Sequence, residues 1–479
     1  MTTASPLQTF PLYIAGEWLD TEAHDIVRLP YDGSPVASVP RAGLDVLDKA
    51  VAAAQQGFQA MRAMANCERA DLLLKIADLV RRDLAEYARL ICGETGKPIK
   101  EARVEAERCL QTLIASAHEA RQLHGEVVPM DFSSTGKGRM AFTVREPRGV
   151  VGAITPFNVP MNLALHKAGP AFAAGCSVVL KPAERTPLSA LRLARTFEEA
   201  GVPKGAYNVI TGSGPELGMA MVGHPGIAMI TFTGSAAVGR EIKARAGFKK
   251  VALELGNNSA VIVEPDADLS TAAARTVQGA FAHSGQVCIS VQRAFVHRSI
   301  AGEYLDRVRA GAEALRIGHP YEDSTDISSL IDEPAAVRVD EWIREAVSRG
   351  ARSVTGGPRA HATIPPTILL EPAADTRIAC QEVFGPVVGV YVYDDLNDAI
   401  ARVNSTNYGL QAGIFTRDLE RAFDAARKLQ FGGVMINDVP MYRADHMPYG
   451  GMKDSGTGRE GPRYAIEEMT ETKLICWKA

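Results

Sequence analysis

The stretch Met229-Ile230-Thr231-Phe232-Thr233-Gly234-Ser235-Ala236-Ala237-Val238-Gly239 reads as a buried strand passing through a glycine turn into the first turn of a helix. Met229 to Thr233 are apolar or β-branched, Gly234 and Ser235 can turn the chain, and the residues beyond favour helix. Four more runs share this character: Val150 to Thr155, Ser177 to Lys181, Tyr207 to Thr211 and Val251 to Leu255. Being nearly all apolar, they suit strands covered on both faces, and intervals of about 20 to 30 residues leave room for crossover helices. The expected class is α/β with a doubly wound parallel sheet. Such a sheet binds ligands beyond the carboxyl ends of its strands, so Thr155 to Asn158, Lys181 to Glu184 and Gly234 to Gly239 should share one crevice.

Working outward, a second set of alternating elements runs through Ser259 to Val263, Val287 to His297, Val387 to Tyr393 and Gly433 to Asn437, and predicts a second α/β domain. Upstream, Leu72, Ile76, Leu79, Val80, Leu84, Tyr87, Leu90 and Ile91 recur at helical spacing and predict one amphipathic helix over Glu68 to Ile91. Met140 to Arg145 and Glu467 to Trp477 look extended and fit neither domain. They are expected to form a paired arm packed on a second subunit.

The 479 residues are 46% hydrophobic, enough for two or three domains with real cores, and 23% charged. A net charge of -4 supplies no basic field for nucleic acid or an anionic membrane, so a small molecule is the expected partner. Cys67, Cys92, Cys109, Cys176, Cys288, Cys380 and Cys476 lie far apart with no C-x-x-C pair, which fits neither a disulfide framework nor a metal site. Met1 to Phe10 lack a secretory pattern, and prolines and asparagines break the apolar stretch Val150 to Leu165, so a cytoplasmic protein is expected.

Polar residues cluster in Thr155-Pro156-Phe157-Asn158, Lys181-Pro182-Ala183-Glu184, Phe232-Thr233-Gly234-Ser235 with Gly239, Leu253-Glu254-Leu255-Gly256, Gly285-Gln286-Val287-Cys288 and Glu382-Val383-Phe384-Gly385-Pro386. In this order and spacing the chain resembles the NAD(P)-dependent aldehyde dehydrogenase superfamily, from Ile14-Ala15-Gly16-Glu17-Trp18 to the C-terminus. The resemblance implies an aldehyde dehydrogenase-like α/β fold: a Rossmann-type NAD-binding domain over 1–123 and 145–254, an α/β catalytic domain over 255–446, and a small β oligomerisation arm from 124–144 and 462–479. It also implies a homodimer or homotetramer.

Cys288 is the candidate nucleophile, because a thiolate adds to a carbonyl carbon and leaves a thioester after oxidation; the other six cysteines read as buried and structural. Asn158 can donate to the oxygen that becomes negative, with the Cys288 N–H as second donor. By itself, an Asn two residues before a proline suits a turn better. Glu254 closes a buried strand, where burial raises a carboxylate toward the value a general base needs. The resemblance makes it the activator of the deacylating water and adds Lys167 and Glu460 as a proton relay, although alone both would read as surface residues.

For the cofactor, Gly234, Ser235 and Gly239 can hold pyrophosphate at a helix N-terminus, although this glycine spacing is usually only a turn. The resemblance adds Thr155, Pro156 and Phe157 to the cofactor site. It assigns Lys181 and Glu184 to the adenosine ribose, where a carboxylate repels a 2′-phosphate and favours NAD over NADP. It also gives Glu382 and Phe384 to the nicotinamide ribose and ring; otherwise they read as a helix-end carboxylate and a core aromatic. One departure stands out: Leu255-Gly256-Asn257-Asn258 replaces the family's Leu-Gly-Gly-Asn, and Asn257 is expected to reshape the loop over the nicotinamide.

Arg108 aligns with an arginine that grips phosphorylated or phosphonylated aldehydes in relatives, although Arg103, Glu105, Glu107 and Arg108 equally suit a solvated helix face. Val287 replaces the arginine of phosphoglyceraldehyde enzymes, and Ala282 and His166 replace those of succinic semialdehyde enzymes. His166 and Arg443, the latter in the loop Tyr442-Arg443-Ala444-Asp445-His446, supply polarity near the substrate entrance. The expected substrate is a short aldehyde bearing phosphonate, sulfonate or carboxylate, such as phosphonoacetaldehyde or sulfoacetaldehyde. Alternatives are a general aliphatic or semialdehyde dehydrogenase, a CoA-acylating enzyme, a cysteine hydrolase pairing Cys288 with His283, and a noncatalytic dinucleotide-binding protein.

Overall fold

The structure, a computed structural model, describes residues 7–478. Residues 1–6 of the N-terminal segment expected to lack a secretory pattern, and Ala479 at the end of the expected arm, lie outside the described residues.

Five parallel strands make the centre of an eight-stranded sheet, in the spatial order Lys250–Glu254, Met229–Thr233, Val150–Ile154, Ser177–Lys181 and Tyr207–Val209. An antiparallel hairpin, Leu12–Ile14 with Glu17–Leu19, extends one edge, and Gly456–Thr457 pairs antiparallel at the other. Chain order reverses between Val150–Ile154 and Met229–Thr233, where Phe232 pairs with Ile154 and Thr233 with Glu254. Loops leaving neighbouring strands in opposite directions open a crevice at this point. The sequence locates all five strands to within two residues, because each is apolar on both faces.

A second sheet of seven strands runs Arg352–Thr355, Thr367–Leu370, Val387–Tyr393, Arg293–His297, Ala260–Val263, Gln411–Phe415 and Gly433–Ile436, parallel except at Arg352–Thr355. The predicted strand Val287 to His297 begins only at Arg293. Ahead of it, the Ser290 N–H bonds to the Val287 carbonyl at 2.9 Å and the Val291 N–H to the Gly279 carbonyl at 3.0 Å. Val287 to Ser290 is therefore a turn, and Cys288 sits on it.

The helix predicted over Glu68 to Ile91 is two, Asn66–Arg82 and Leu84–Thr95, broken at Asp83. The Asp83 carboxylate takes Arg82 at 2.8 Å and Arg192 at 2.6 Å, so ion pairs at a residue of poor helix propensity displace the continuous register. The helix Pro160–Ala174 is buried along its whole length, with Pro160 in its first turn and Gly175 (φ 85°) at its C-cap. It carries Asn162, His166 and Lys167 into the interior.

Arg139–Pro147 pairs with Thr470–Lys478 over nine positions, and Val127–Val128 adds a third strand. The expected extended segment from Glu467 starts only at Thr470, because Pro462–Met469 is helical. Phe142, Leu474, Ile475 and Trp477 are exposed on this sheet, Trp477 to 63%. Cys92, Cys109 and Cys176 are buried as expected, whereas Cys67, Cys380 and Cys476 are exposed. Among the described residues, no helix is long and apolar enough to cross a membrane.

Candidate functional site

At the reversal point lies a cavity of about 410 Å³ whose wall includes Asn158, Ser235, Glu254, Cys288, Glu382 and Phe384. Two sheets supply these residues, and their loops face one another across it.

Cys288 is held by its approach loop. His283 (φ 47°), Ser284 (φ 53°) and Gly285 (φ 72°) are successive left-handed residues, and a Cβ on Gly285 would stand 2.0 Å from the Gly385 carbonyl oxygen. Only glycine fits there. Gln286 then anchors the turn, its Oε1 accepting the Ile331 N–H at 2.8 Å. Asn158 Nδ2 donates to the Gln286 carbonyl at 2.8 Å, which brings one amide hydrogen onto the cysteine loop and leaves a second for another acceptor. Cys288 Sγ lies 2.7 Å from the Tyr449 hydroxyl. Burial pushes the thiol up to about 11, against the opposing effect of the Tyr449 hydrogen bond, so the resting sulfur is protonated. The sequence marks Tyr449 only as a phenol in the glycine turn Tyr449-Gly450-Gly451 just after the polar loop.

Glu254 ends its strand buried, and neither carboxylate oxygen has a hydrogen-bond partner. Burial and then the charge of Glu460 push it well above the usual carboxylate range. Glu460 is also buried, but Lys167 Nζ at 3.1 Å and Arg443 Nη2 at 2.8 Å overcome that burial and hold it ionised. Lys167 also donates to Thr233 Oγ1 at 2.8 Å. Neither Lys167 nor Glu460 is at the surface, contrary to their isolated reading: Lys167 lies on the all-buried helix, and the Tyr449–Glu460 backbone bridge draws Glu460 inward. Two acids of one cavity are thus driven toward opposite protonation states.

The cofactor residues divide between two cavities. Ser235 caps the helix Ala236–Arg245, accepting the Val238 N–H at 3.4 Å, so the first free N–H groups open toward the main cavity. A Cβ on Gly234 would meet the Phe232 ring at 2.4 Å, and one on Gly239 would meet Leu255 at 2.7 Å. Pro156 and Phe157 line the same cavity, and buried Thr155 stands at its root. Glu382 accepts the Asn257 N–H at 3.0 Å and closes on Gly256; burial raises it to about 7, against that hydrogen bond. Phe384, with φ 51°, meets the Phe157 ring edge-on at 5.7 Å.

The loops after the central strands do not all line the main cavity. Glu184 is exposed, accepts the Gly214 N–H at 2.6 Å and lines a neighbouring cavity of about 400 Å³ with Arg41 and Ser213. Lys181 is buried beside it, its ammonium on the Pro182 carbonyl at 3.3 Å. Asn257 keeps its side chain out of the main cavity while its backbone N–H bonds to Glu382. Its amide turns inward, donating to the Gln411 carbonyl at 3.3 Å and accepting the Asn258 and Leu410 N–H groups at 2.9 and 3.3 Å.

A cavity of about 480 Å³ adjoins the main one and shares Arg108, Val159, Val287, Ile289 and Arg443 with it. Arg108 is not a free surface group: its Nε and Nη2 fork onto Asp445 at 3.1 and 2.8 Å. Asp445 also takes Asn162 Nδ2 at 2.9 Å and His166 Nε2 at 3.1 Å. Despite burial, His166 and Arg108 hold its carboxyl well below the usual range. His166 is fully buried behind this pair and lines neither large cavity. Arg443 borders both cavities, but it is committed to Glu460 and lies 3.8 Å over the Tyr449 ring. His283 faces the adjoining cavity with neither ring nitrogen partnered, so the sulfur's partner is Tyr449 and not the imidazole of a hydrolase pair.

Known proteins share this sequence pattern and fold over nearly the whole chain. The aldehyde dehydrogenase family pattern matches residues 18–475. A 3-sulfolactaldehyde dehydrogenase of Priestia aryabhattai is 48% identical over 475 residues, covering 99% of each chain. Aldehyde dehydrogenase 21 of Physcomitrella patens, solved with the reaction product succinate, superposes with a TM-score of 0.96 at 38% identity, covering 99% of both chains. An NADP-dependent glyceraldehyde-3-phosphate dehydrogenase of Bacillus halodurans, solved with NADP, superposes at 0.95 and 36% identity, covering 98% of this chain and 99% of that one.

Proposed function

Because the chain belongs to the aldehyde dehydrogenase family, we propose that it oxidises a short anionic aldehyde to the carboxylate, with Cys288 as nucleophile and NAD as oxidant. The observation that carries this reading is the meeting of Cys288, Asn158 and Glu254 in one cavity, from three distant parts of the chain.

A nicotinamide dinucleotide fits the residues present. The N-terminus of Ala236–Arg245 offers N–H groups for pyrophosphate, Gly234 lines the cavity at a turn packed on the Phe232 ring, and Glu382 offers a carboxylate to a ribose. When bound, it accepts the hydride released from the aldehyde carbon. Glu184 presents a carboxylate that accepts ribose hydroxyls and repels a 2′-phosphate, which supports NAD.

The Cys288 thiolate attacks the carbonyl carbon, and the free amide hydrogen of Asn158 holds the resulting oxyanion, a contact whose loss typically costs about 3 kcal/mol. After hydride loss the thioester remains on sulfur. Glu254, once deprotonated, takes a proton from water as that water attacks the thioester; the C–S bond breaks to return the Cys288 sulfur as thiolate, and the proton on Glu254 leaves through Glu460 and Lys167, with Arg443 a fixed counter-charge. Glu254 also distinguishes this reading from CoA-acylating relatives, which lack the water-activating glutamate.

Arg108, pinned by Asp445, keeps Nη1 available for an incoming anion. The sulfonate substrate in the name of the Priestia relative supports this choice of head group. We assign 1–123 and 145–254 to cofactor binding, 255–446 to catalysis and the exposed arm to a homodimer or homotetramer, in a cytoplasmic enzyme with no metal. Initial rates of NADH formation across neutral, carboxylated, phosphono- and sulfo-aldehydes, with and without CoA, test the function. Sulfonated or phosphonated aldehydes should lead without CoA; a rate that requires CoA would reject the hydrolytic reading. Arg108→Ala should raise KM for the anionic aldehyde about tenfold or more while barely changing it for a neutral one of equal length.

A further inference from the structure

A phenol 2.7 Å from the nucleophilic sulfur has no part in the steps above. Tyr449 is buried, its ring is covered on one face by the Arg443 guanidinium at 3.8 Å, and its backbone is bridged to Glu460. It cannot swing away without breaking these contacts, so its hydroxyl stays directed at Cys288. Building on the assignment of Cys288 as nucleophile, we propose that Tyr449 is a further catalytic residue, whose O–H donates the hydrogen bond that stabilises the Cys288 thiolate and aims it at the carbonyl.

While the sulfur is a thiol, either atom can donate. Ionisation releases the Sγ proton to water in the cavity; Tyr449 keeps its own proton and directs it at the sulfur. When the C–S bond forms, the carbonyl π pair moves onto the aldehyde oxygen and the O–H···S bond weakens, so its work is done before the tetrahedral adduct. Arg443 also faces the sulfur and favours its ionisation, while Glu382 and Glu460 oppose it. Burial and the adjacent sulfur hold the Tyr449 phenol itself protonated, against the Arg443 charge. Among the described residues, Tyr449 is thus the neutral side-chain donor directed at a sulfur whose burial disfavours charge.

The test is iodoacetamide alkylation of the full-length protein across a pH series, with each cysteine followed by peptide mass spectrometry. Exposed Cys67 serves as an internal control. At about pH 7.5, Tyr449→Phe should alkylate at Cys288 roughly ten- to a hundredfold more slowly than the parent, with the midpoint moved to higher pH and Cys67 unchanged, as loss of a hydrogen bond to a charged group implies. An unchanged Cys288 profile would overturn the proposal. Should Tyr449→Phe not fold, a ring-fluorinated tyrosine at position 449, a stronger donor of the same shape, should move the midpoint down; no movement would refute the role. Parent enzyme fully alkylated at Cys288 yet still forming NADH would instead refute the nucleophile assignment, independently of the Tyr449 result.

Discussion

Glu254 pays for its position in stability. Its folded-state pKa is raised, chiefly by burial and next by Glu460, so the folded chain retains a proton that the unfolded chain releases above the ordinary glutamate value of about 4.3. Stability therefore falls as pH rises from that value toward the raised one. Glu254→Gln carries no such charge, so its melting temperature should exceed the parent's by a margin that grows between about pH 5 and pH 8. Thermal scans at the two pH values check this; a constant or inverted margin would contradict it. At this scale Cys288, Asn158 and Glu254 were legible because each stands in a distinctive sequence cluster. Lys167 and Glu460 were reached only through the family resemblance and Tyr449 not at all, since burial and partners arise only when Pro160–Ala174 packs inside and residues 449 and 460 fold over it. Arg108 carried a pattern shared by a clamp and a solvated face, and only Asp445, far away in sequence, distinguishes the two.

At the scale of elements, strands covered on both faces announced themselves, as Met229–Thr233 and Val387–Tyr393 do with their predicted bounds intact. Where a local bond competes with periodicity, the pattern misleads: Asp83 splits a continuous helical spacing, and the Ser290 to Val287 bond turns an apolar run that looks like strand. Glu184 lies in the loop after Ser177–Lys181, facing a cavity that also holds Arg41. Removing its carboxylate leaves a cationic neighbour beside the ribose site proposed there. Glu184→Ala should raise KM for NAD and lower it for NADP, shifting the preference ratio by about tenfold or more. Paired kinetics with both cofactors measure it, and an unchanged ratio would place the discrimination elsewhere.

For the whole molecule, the arm and the cleft are consequences of long-range assembly. The arm joins residues 139–147 to residues 470–478 and leaves Leu474, Ile475 and Trp477 exposed, an apolar surface that a lone chain has reason to cover. Leu474→Glu should lower the assembly state measured by light scattering while leaving each folded chain's NAD affinity intact; an unchanged mass would remove the arm from the interface. The cleft gathers Asn158, Glu254, Cys288 and Glu460 from both sheets and the C-terminal region, so that in the proposed reaction the first three meet at a single carbonyl carbon with Glu460 behind them. The most direct measurement is rapid-quench mass spectrometry of Glu254→Gln mixed with NAD and a sulfonated aldehyde. One NADH should form per chain, with a matching thioester on the Cys288 peptide that persists because its water is no longer activated. Steady NADH formation with no adduct, or an adduct on another cysteine, would contradict the proposed reaction.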